Sequence, residues 1–370
     1  LLMVRVRGMF SLASTIWIAC ADPARTLNLP AFRLSAFTLL FAVGLSLLQY
    51  RGMDSNDRND GGVATAKSIL NGRPVYKAFQ SRLLGPSVTA GLAKATRQPF
   101  KRIYKVVCVA LLLFGNILAL VLFQKYAGSW EEGAFYTVVY AFLSVGLQAR
   151  TYVPLWDFID FLTMMVFAWA VVTRASRRLL IALFVVELLN REVALFIPLW
   201  IMIDSVQMSR SDGGRRRLRI DRNALLGFVL MVSGIAWTHF ARNWHFKKES
   251  FVMPIGIHTI GDQFWMLPRT LTILRIGPKL DSLMAVLMAL WIAFVVVTEW
   301  KSGIEKRQKL ALLLLAMLAS ILMFGLITET RIWISTIPFL LWISLMNNRE
   351  RRSAQIERPG EPFPGQPQKV

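Results

Sequence analysis

Cysteine and histidine are nearly missing from this chain: 2 cysteines and 3 histidines stand among 370 residues. Cys20 and Cys108 each lie inside an apolar run with no second cysteine nearby, which excludes a disulfide framework and a thiolate metal site. Two buried small hydrophobes is the simpler reading. His239, His245 and His258 fall at spacings that put no pair on one turn of a helix, so no zinc site is indicated. The sequence also lacks a phosphate-binding glycine loop, an HExxH motif and a Ser-His-Asp arrangement. No cofactor is therefore expected, and a divalent metal is not indicated. Carboxylates are scarce too, 22 against 43 Lys plus Arg, for a net charge of +21. A surplus of that size invites comparison with nucleic-acid binders. Here, however, the basic residues sit in short connections between apolar runs rather than on one amphipathic face, which argues against nucleic acid as a partner. They read instead as topology signals and contacts to anionic membrane lipids.

What the chain has in abundance is apolar sequence, 55% of its residues. Several windows of about 16 to 20 residues carry no charge, the signature of bilayer-spanning helices. The expected fold class is all-α, a polytopic membrane protein with about ten transmembrane helices. Residues 1–33 read as a cytoplasmic or interfacial N-terminal segment. Its MFSLASTIWIACA run is short for a span, and cleavage after it would leave Arg25 and Arg33 outside, against the later loops. The transmembrane domain covers 34–346, and 347–370 is rich in Pro, Gly and Gln and reads as a disordered cytoplasmic tail.

Within that domain the expected spans are Leu34 to Leu48, Val106 to Phe123, Phe135 to Leu147 and Trp156 to Val172. Leu225 to Phe240, Leu283 to Thr298, Leu310 to Ile327 and Ile332 to Leu345 follow later. Between them, Leu179 to Gln207 is interrupted by Asn190, Arg191 and Glu192. One charge at the bilayer centre costs about 2.5 to 3.5 kcal/mol even on the lenient insertion scale. Parity gives the solution. The basic connections on either side, TRASRR and SRSDGGRRRLRIDR, both belong in the cytoplasm, so a hairpin of two short helices is expected, Leu179 to Leu189 and Val193 to Gln207. Asn190 to Glu192 would then form the turn, facing outward or lining a cavity.

On this layout both termini are cytoplasmic, and the polar segments 49–105 and 242–279 are external. The positive-inside bias is weak, because 11 Lys plus Arg lie in 49–105. Trp244 and Trp265 in the second external segment read as an interfacial aromatic belt.

The segment from Gln49 to Pro86 is the first long polar interruption, and it places Asp54, Asp57 and Asp60 directly after a hydrophobic helix. An aspartate soon after the first span, then Asp60-x11-Gly72 and Phe79-Gln80-Ser81-Arg82-Leu83-Leu84-Gly85-Pro86, resembles the first external loop of the GT-C superfamily. These are integral membrane glycosyltransferases that take sugars from polyprenyl-phosphate donors. Leu189-Asn190-Arg191-Glu192 and Thr328-Glu329-Thr330-Arg331, each at an external helix end, look like the polar positions that such enzymes direct at the donor phosphate. The resemblance covers the layout of the whole chain. Its motifs are short, and the chain has Gly61 and Ala64 where the family often carries an acidic residue and a tyrosine. The choice among the three aspartates therefore stays open.

What the resemblance implies is a transferase of the bacterial inner (plasma) membrane that moves a sugar from a polyprenyl-phosphate donor to a glycan or lipid acceptor. Glycosyl transfer with inversion needs one carboxylate to accept the acceptor's proton and cations to stabilise the departing phosphate. Asp60 is the first choice of base, since it opens the helix expected over GGVATAKSILNG, where free backbone N–H groups hold a carboxylate ionised. Asp57 is second and Asp54 third. For the phosphate the candidates are Arg82, Arg191, Arg331 and Arg269, because a guanidinium donates two parallel hydrogen bonds without losing charge.

Each has a purely structural alternative. Arg82 would serve as an interfacial anchor, Arg191 would pair with Glu192 or Glu187, and Arg331 would pair with Glu329. Asp157 and Asp160, three apart on one helical face, would help form an acceptor pocket or a proton path, or simply sit at the interface. The competing functional class is a flippase or secondary transporter for a lipid-linked or anionic substrate, for which broken helices and intramembrane charges are also typical. The lack of an internal repeat counts against it. A non-catalytic scaffold in polysaccharide assembly is the third possibility.

Overall fold

The computed structural model describes residues 31–54, 59–73, 82–148, 155–210, 216–246, 258–260, 263–265, 280–324 and 330–357. The described chain is helical, with two small antiparallel hairpins. In order, α1 is Ala31–Asp54, α2 Asn59–Leu70, α3 Leu84–Thr96, α4 Phe100–Ala127, α5 Trp130–Gln148, α6 Leu155–Thr173 and α7 Arg177–Leu188. A 3-10 turn, Glu192–Leu195, leads into α8, Phe196–Asp204, followed by β1, Val206–Arg210, and β2, Arg216–Ile220. Helix α9 is Asn223–His245, β3 and β4 are His258–Ile260 and Gln263–Trp265, α10 is Leu280–Lys301 and α11 Glu305–Phe324. A second 3-10 segment, Thr330–Thr336, runs into α12, Ile337–Glu357.

Among the described residues, four helices are long and apolar enough to cross a membrane: α4, α6, α11 and the Asn223–Trp244 stretch of α9. They make this a membrane protein. Helix α6 is its centre, since 83% of its apolar window is buried against 22% for α9. Tyr140 of α5 stacks on Phe161 at 3.8 Å, Phe339 of α12 meets Phe167 edge-on at 5.3 Å, and Trp342 Nε1 donates to Met165 Sδ at 3.3 Å. Helix α9 lies at the outside and leans on α7 and α8 through glycines. A Cβ at Gly227 would sit 2.8 Å from the Pro198 carbonyl oxygen, and one at Gly234 would sit 2.7 Å from Leu195 Cδ2.

Two ends of the bundle can be told apart by what ties them. At one end, here the Asp204 end, Lys306 Nζ donates to the Val172 carbonyl at 2.5 Å and Lys309 Nζ to the Asp204 carbonyl at 3.1 Å. Lysines there satisfy the last carbonyls of α6 and α8, the placement that helix C-termini favour. Arg352 meets Glu132 at 2.8 Å, and Asn347 donates to Glu299 at 2.9 Å, so the starts of α5 and α11 and the ends of α10 and α12 all gather at this end.

At the other end, the Asp157 end, the Leu155 N–H donates to the Tyr104 hydroxyl at 2.8 Å. Here α2 buries Val63 and Ala66 in a cluster with Tyr104, Cys108, Leu112, Leu155 and Phe158, and Ile69 is buried as well. Much of the polar segment between 49 and 105 is thus helical, with α2 packed on α3 and α4 and α3 packed on α6. Cys108 is fully buried there; Cys20 lies outside the described residues.

Two boundaries differ from the sequence reading. The apolar run that ends near Gln207 leaves its helix at Asp204, and Val206 and Gln207 instead pair with Ile220 and Arg219. The chain also does not leave the bundle at Arg242: α9 continues to His245 and buries Arg242. Hydropathy registers the charge of arginine but not its partner, which is why the run read as ending at Phe240.

A buried ion-pair network at the broken helix

The interruption in Leu179 to Gln207 is a real helix break. Helix α7 stops at Leu188, the chain turns at Leu189 and Asn190, and Arg191 is extended, with φ −155° and ψ 157°. At about 1.5 Å per residue neither α7 nor α8 alone has the length of the hydrocarbon core. Together they run in from the Asp204 end and back, with Asn190 to Glu192 at the tip. The tip is neither exposed nor empty. Arg191 Nη1 donates to Asp157 Oδ1 at 3.2 Å and to Asp160 Oδ2 at 2.7 Å. Ser335 Oγ, from the second 3-10 segment, also donates to Asp160 Oδ2, at 3.0 Å. Asn190 Nδ2 donates to the Trp156 carbonyl and to Glu187 Oε1, each at 3.0 Å, and the Thr163 hydroxyl donates to Glu187 Oε2.

The neighbouring residue turns the other way. Glu192 accepts from Arg242 Nη2 at 2.6 Å, so adjacent residues of opposite charge fasten the tip to α6 on one side and to α9 on the other. Arg191 does not pair with Glu192, the arrangement the sequence offered. Glu187 helps hold the tip through Asn190 and through its own carbonyl, which accepts from the Arg191 N–H at 2.6 Å. Asp157 and Asp160 are fully buried within the protein, and they occupy the first turns of α6, where the helix dipole favours negative charge.

Arg82 joins this group from the first polar segment. The Leu84 N–H donates to the Leu189 carbonyl at 2.9 Å, which fixes the start of α3 beside the tip. Gly85 permits the approach, since a Cβ there would stand 3.1 Å from Leu155. Arg82 is buried, its guanidinium carbon 5.4 Å from the centroid of a Trp156 ring, a cation–π arrangement. It is not the exposed interfacial anchor that its sequence neighbourhood suggested.

The structure therefore gathers Arg82, Arg191, Glu192, Asp157 and Asp160. Asp54 ends α1, Asp60 lies in the first turn of α2 and Arg331 lies in the second 3-10 segment, but their side chains are outside what is described. Asp57, Arg269 and Glu329 lie wholly outside the described residues. Participants that sequence reasoning missed are Trp156, Thr163, Ser335 and Arg242. Ser335 and Thr163 carry no charge to mark them, whereas Arg242 could have been found as a lone cation just past an apolar run. Among the described residues no group of His, Cys, Asp or Glu is placed to hold a metal ion.

Fold and site together define a helical membrane protein with a charged network buried at one end of its bundle. No family model, curated protein or solved structure matches the chain.

Proposed function

We propose that the protein is an integral membrane glycosyltransferase that moves a sugar from a polyprenyl-phosphate donor to a glycan or lipid acceptor. The observation that carries this reading is the packing of α2 on α3 and α4, and of α3 on α6. It brings the helix that bears Asp60 to the end of the bundle that holds Arg82, Arg191, Asp157 and Asp160. Asp60, or failing it Asp57 or Asp54, accepts the acceptor hydroxyl's proton. The acceptor oxygen bonds to the sugar's anomeric carbon, the bond from that carbon to the donor phosphate breaks, and polyprenyl phosphate leaves with the electron pair.

Arg82 is the best-placed cation for that phosphate, with Arg331 and Arg269 as further candidates. Arg191 is assigned a positioning role, because one of its nitrogens is shared by Asp157 and Asp160. The helices then make ten crossings of a bacterial inner membrane, with α7 and α8 as half-length ones. Both termini are cytoplasmic and the Asp157 end faces outward.

A second reading rests on the same broken helix. A buried charge network at a helix interruption is also how carriers hold anionic substrates and coupling ions, and a flippase or secondary transporter would use it so. Glycosyl transfer by the purified protein in nanodiscs, offered a panel of polyprenyl-phosphate sugars, separates the two. Turnover is expected for the wild type, with a loss of about 10²-fold or more in Asp60→Asn. A wild type inert toward every donor, together with substrate-dependent transport in liposomes, overturns the transferase in favour of the carrier.

A further inference from the structure

We propose that Glu187 is a reversible proton-binding site that controls how the tip of the broken helix is held. Glu187 is fully buried, and among the described residues no cation lies within ion-pair distance of it. Its carboxyl instead meets two neutral groups, the Asn190 amide at Oε1 and the Thr163 hydroxyl at Oε2. That hydroxyl has a single proton and two further acceptors, the Ile159 carbonyl at 2.9 Å and the Asp160 carbonyl at 3.3 Å. With Glu187 ionised, the proton satisfies either the carboxylate or the Ile159 carbonyl, and the other contact brings lone pairs together. A proton on Oε2 removes the conflict, because Glu187 then donates to Thr163 while Thr163 donates to Ile159.

The charges around Glu187 point the same way. Helix α6 presents Asp157 and Asp160, which already share Arg191 Nη1. The first 3-10 turn offers Glu192, which is held by Arg242 of α9. Arg82, just before α3, lies over Trp156. The charged residues of α7 and α8 other than Glu187 are Arg177, Arg178 and Asp204, all at the far end of the hairpin. A third buried carboxylate with no cation of its own is costly, whereas a protonated carboxyl makes the same contacts without a charge. The proton also bears on the tip. The Glu187 carbonyl accepts from the Asn190 N–H at 2.9 Å and the Arg191 N–H at 2.6 Å, and its side chain accepts from Asn190 Nδ2 at 3.0 Å. Loss of the proton gives Arg191 three carboxylates to balance instead of two, which weakens its hold on Asp157 and Asp160 and loosens the tip from α6. The inference is independent of the activity, since a transferase and a carrier both have to hold this tip.

Infrared spectra of the full-length protein in a carbonyl-free detergent test this, because a protonated carboxyl has a C=O band that an ionised one lacks. At neutral pH a protonated-carboxyl component is expected that Glu187→Gln removes. Thr163→Val should shift that component, since it deletes the hydroxyl to which Glu187 donates. On raising the pH the component should vanish reversibly. Hydrogen exchange over 189–195, corrected for the intrinsic effect of pH, should then become about tenfold faster or more. Glu187→Gln keeps the neutral form at every pH and should hold the tip with no such change. A wild type without the component at neutral pH, or a component unchanged by Glu187→Gln, overturns the proposal. Loss of the component at high pH with constant exchange at the tip also overturns it, because the proton would not govern the tip.

Discussion

Arg191 concentrates the energetics of the site in one side chain. Burying a guanidinium costs several kcal/mol of lost hydration, and the two carboxylates cost the same again, so the network is tolerable only while every member keeps its partner. Arg191→Gln leaves Asp157 and Asp160 buried side by side without their cation, and a loss of about 3–5 kcal/mol is expected. Thermal melting in detergent measures it. Adding Asp160→Asn to Arg191→Gln should cost less than the sum of the single changes, because the neutral amide removes the charge that Arg191 was balancing. Strict additivity would show that the pair does not interact. The sequence marked each of these residues as out of place but could not pair them. Its local spacing offered Glu192 and Glu187, whereas the carboxylates that accept from Arg191 lie 31 and 34 residues away. Separations of that kind are set by how helices pack, and no periodicity along one helix reports them.

Helices were the most legible feature of the sequence, since apolar runs bounded by arginine and lysine coincide with α4, α6, α9 and α11. What stayed hidden was how the elements touch. Gly227 and Gly234 are seven residues apart, which puts them on one face of α9, and that face meets Pro198, Met202, Leu195 and Phe184. Sequence alone cannot distinguish such glycines from Gly91, around which a Cβ would meet nothing within 4 Å. The distinction can be measured. At Gly91, alanine gains helix propensity of up to about 1 kcal/mol with no steric cost. At Gly227 the same change drives a Cβ to 2.6 Å from Met202 Cγ and 2.8 Å from a backbone oxygen. Overpacking of about 1–3 kcal/mol should then outweigh the propensity gain. Melting temperatures moving in opposite directions for Gly91→Ala and Gly227→Ala would establish α9 as a closely fitted element. A shared upward shift would mean that it is only loosely held. The β1–β2 hairpin was illegible for a different reason: Val206 and Gln207 extend an apolar run that reads as helix, and only pairing with 216–220 converts it to strand.

The whole molecule has a polarity that follows from its ties rather than from hydropathy. Lys306 on Val172, Lys309 on Asp204 and Arg352 on Glu132 draw the ends of α6 and α8 and the start of α5 to one side of the bundle. Tyr104 on Leu155 and the Leu84–Leu189 hydrogen bond draw the start of α4, the start of α3 and the tip of the broken helix to the other. In a bilayer these sides become opposite faces, and charge selects which is cytoplasmic. The first polar segment weakens that selection, because its own 11 Lys plus Arg compete with those of the Asp204 end.

Single cysteines placed with Cys20 and Cys108 changed to alanine, and labelled with an impermeant maleimide on right-side-out membranes, resolve the competition. Lys125→Cys and Lys301→Cys sit at the Asp204 end, and Thr96→Cys closes α3 at the other; all three positions are exposed. Labelling of Thr96→Cys alone is expected, with the other two reacting only after the membrane is opened. The reverse pattern would keep the two-ended bundle but turn its charged network toward the cytoplasm, where an outward-facing transferase could not use it. Thr96→Cys and Lys125→Cys reacting from the same side would break the bundle's polarity itself, since α4 would then fail to cross the membrane between them.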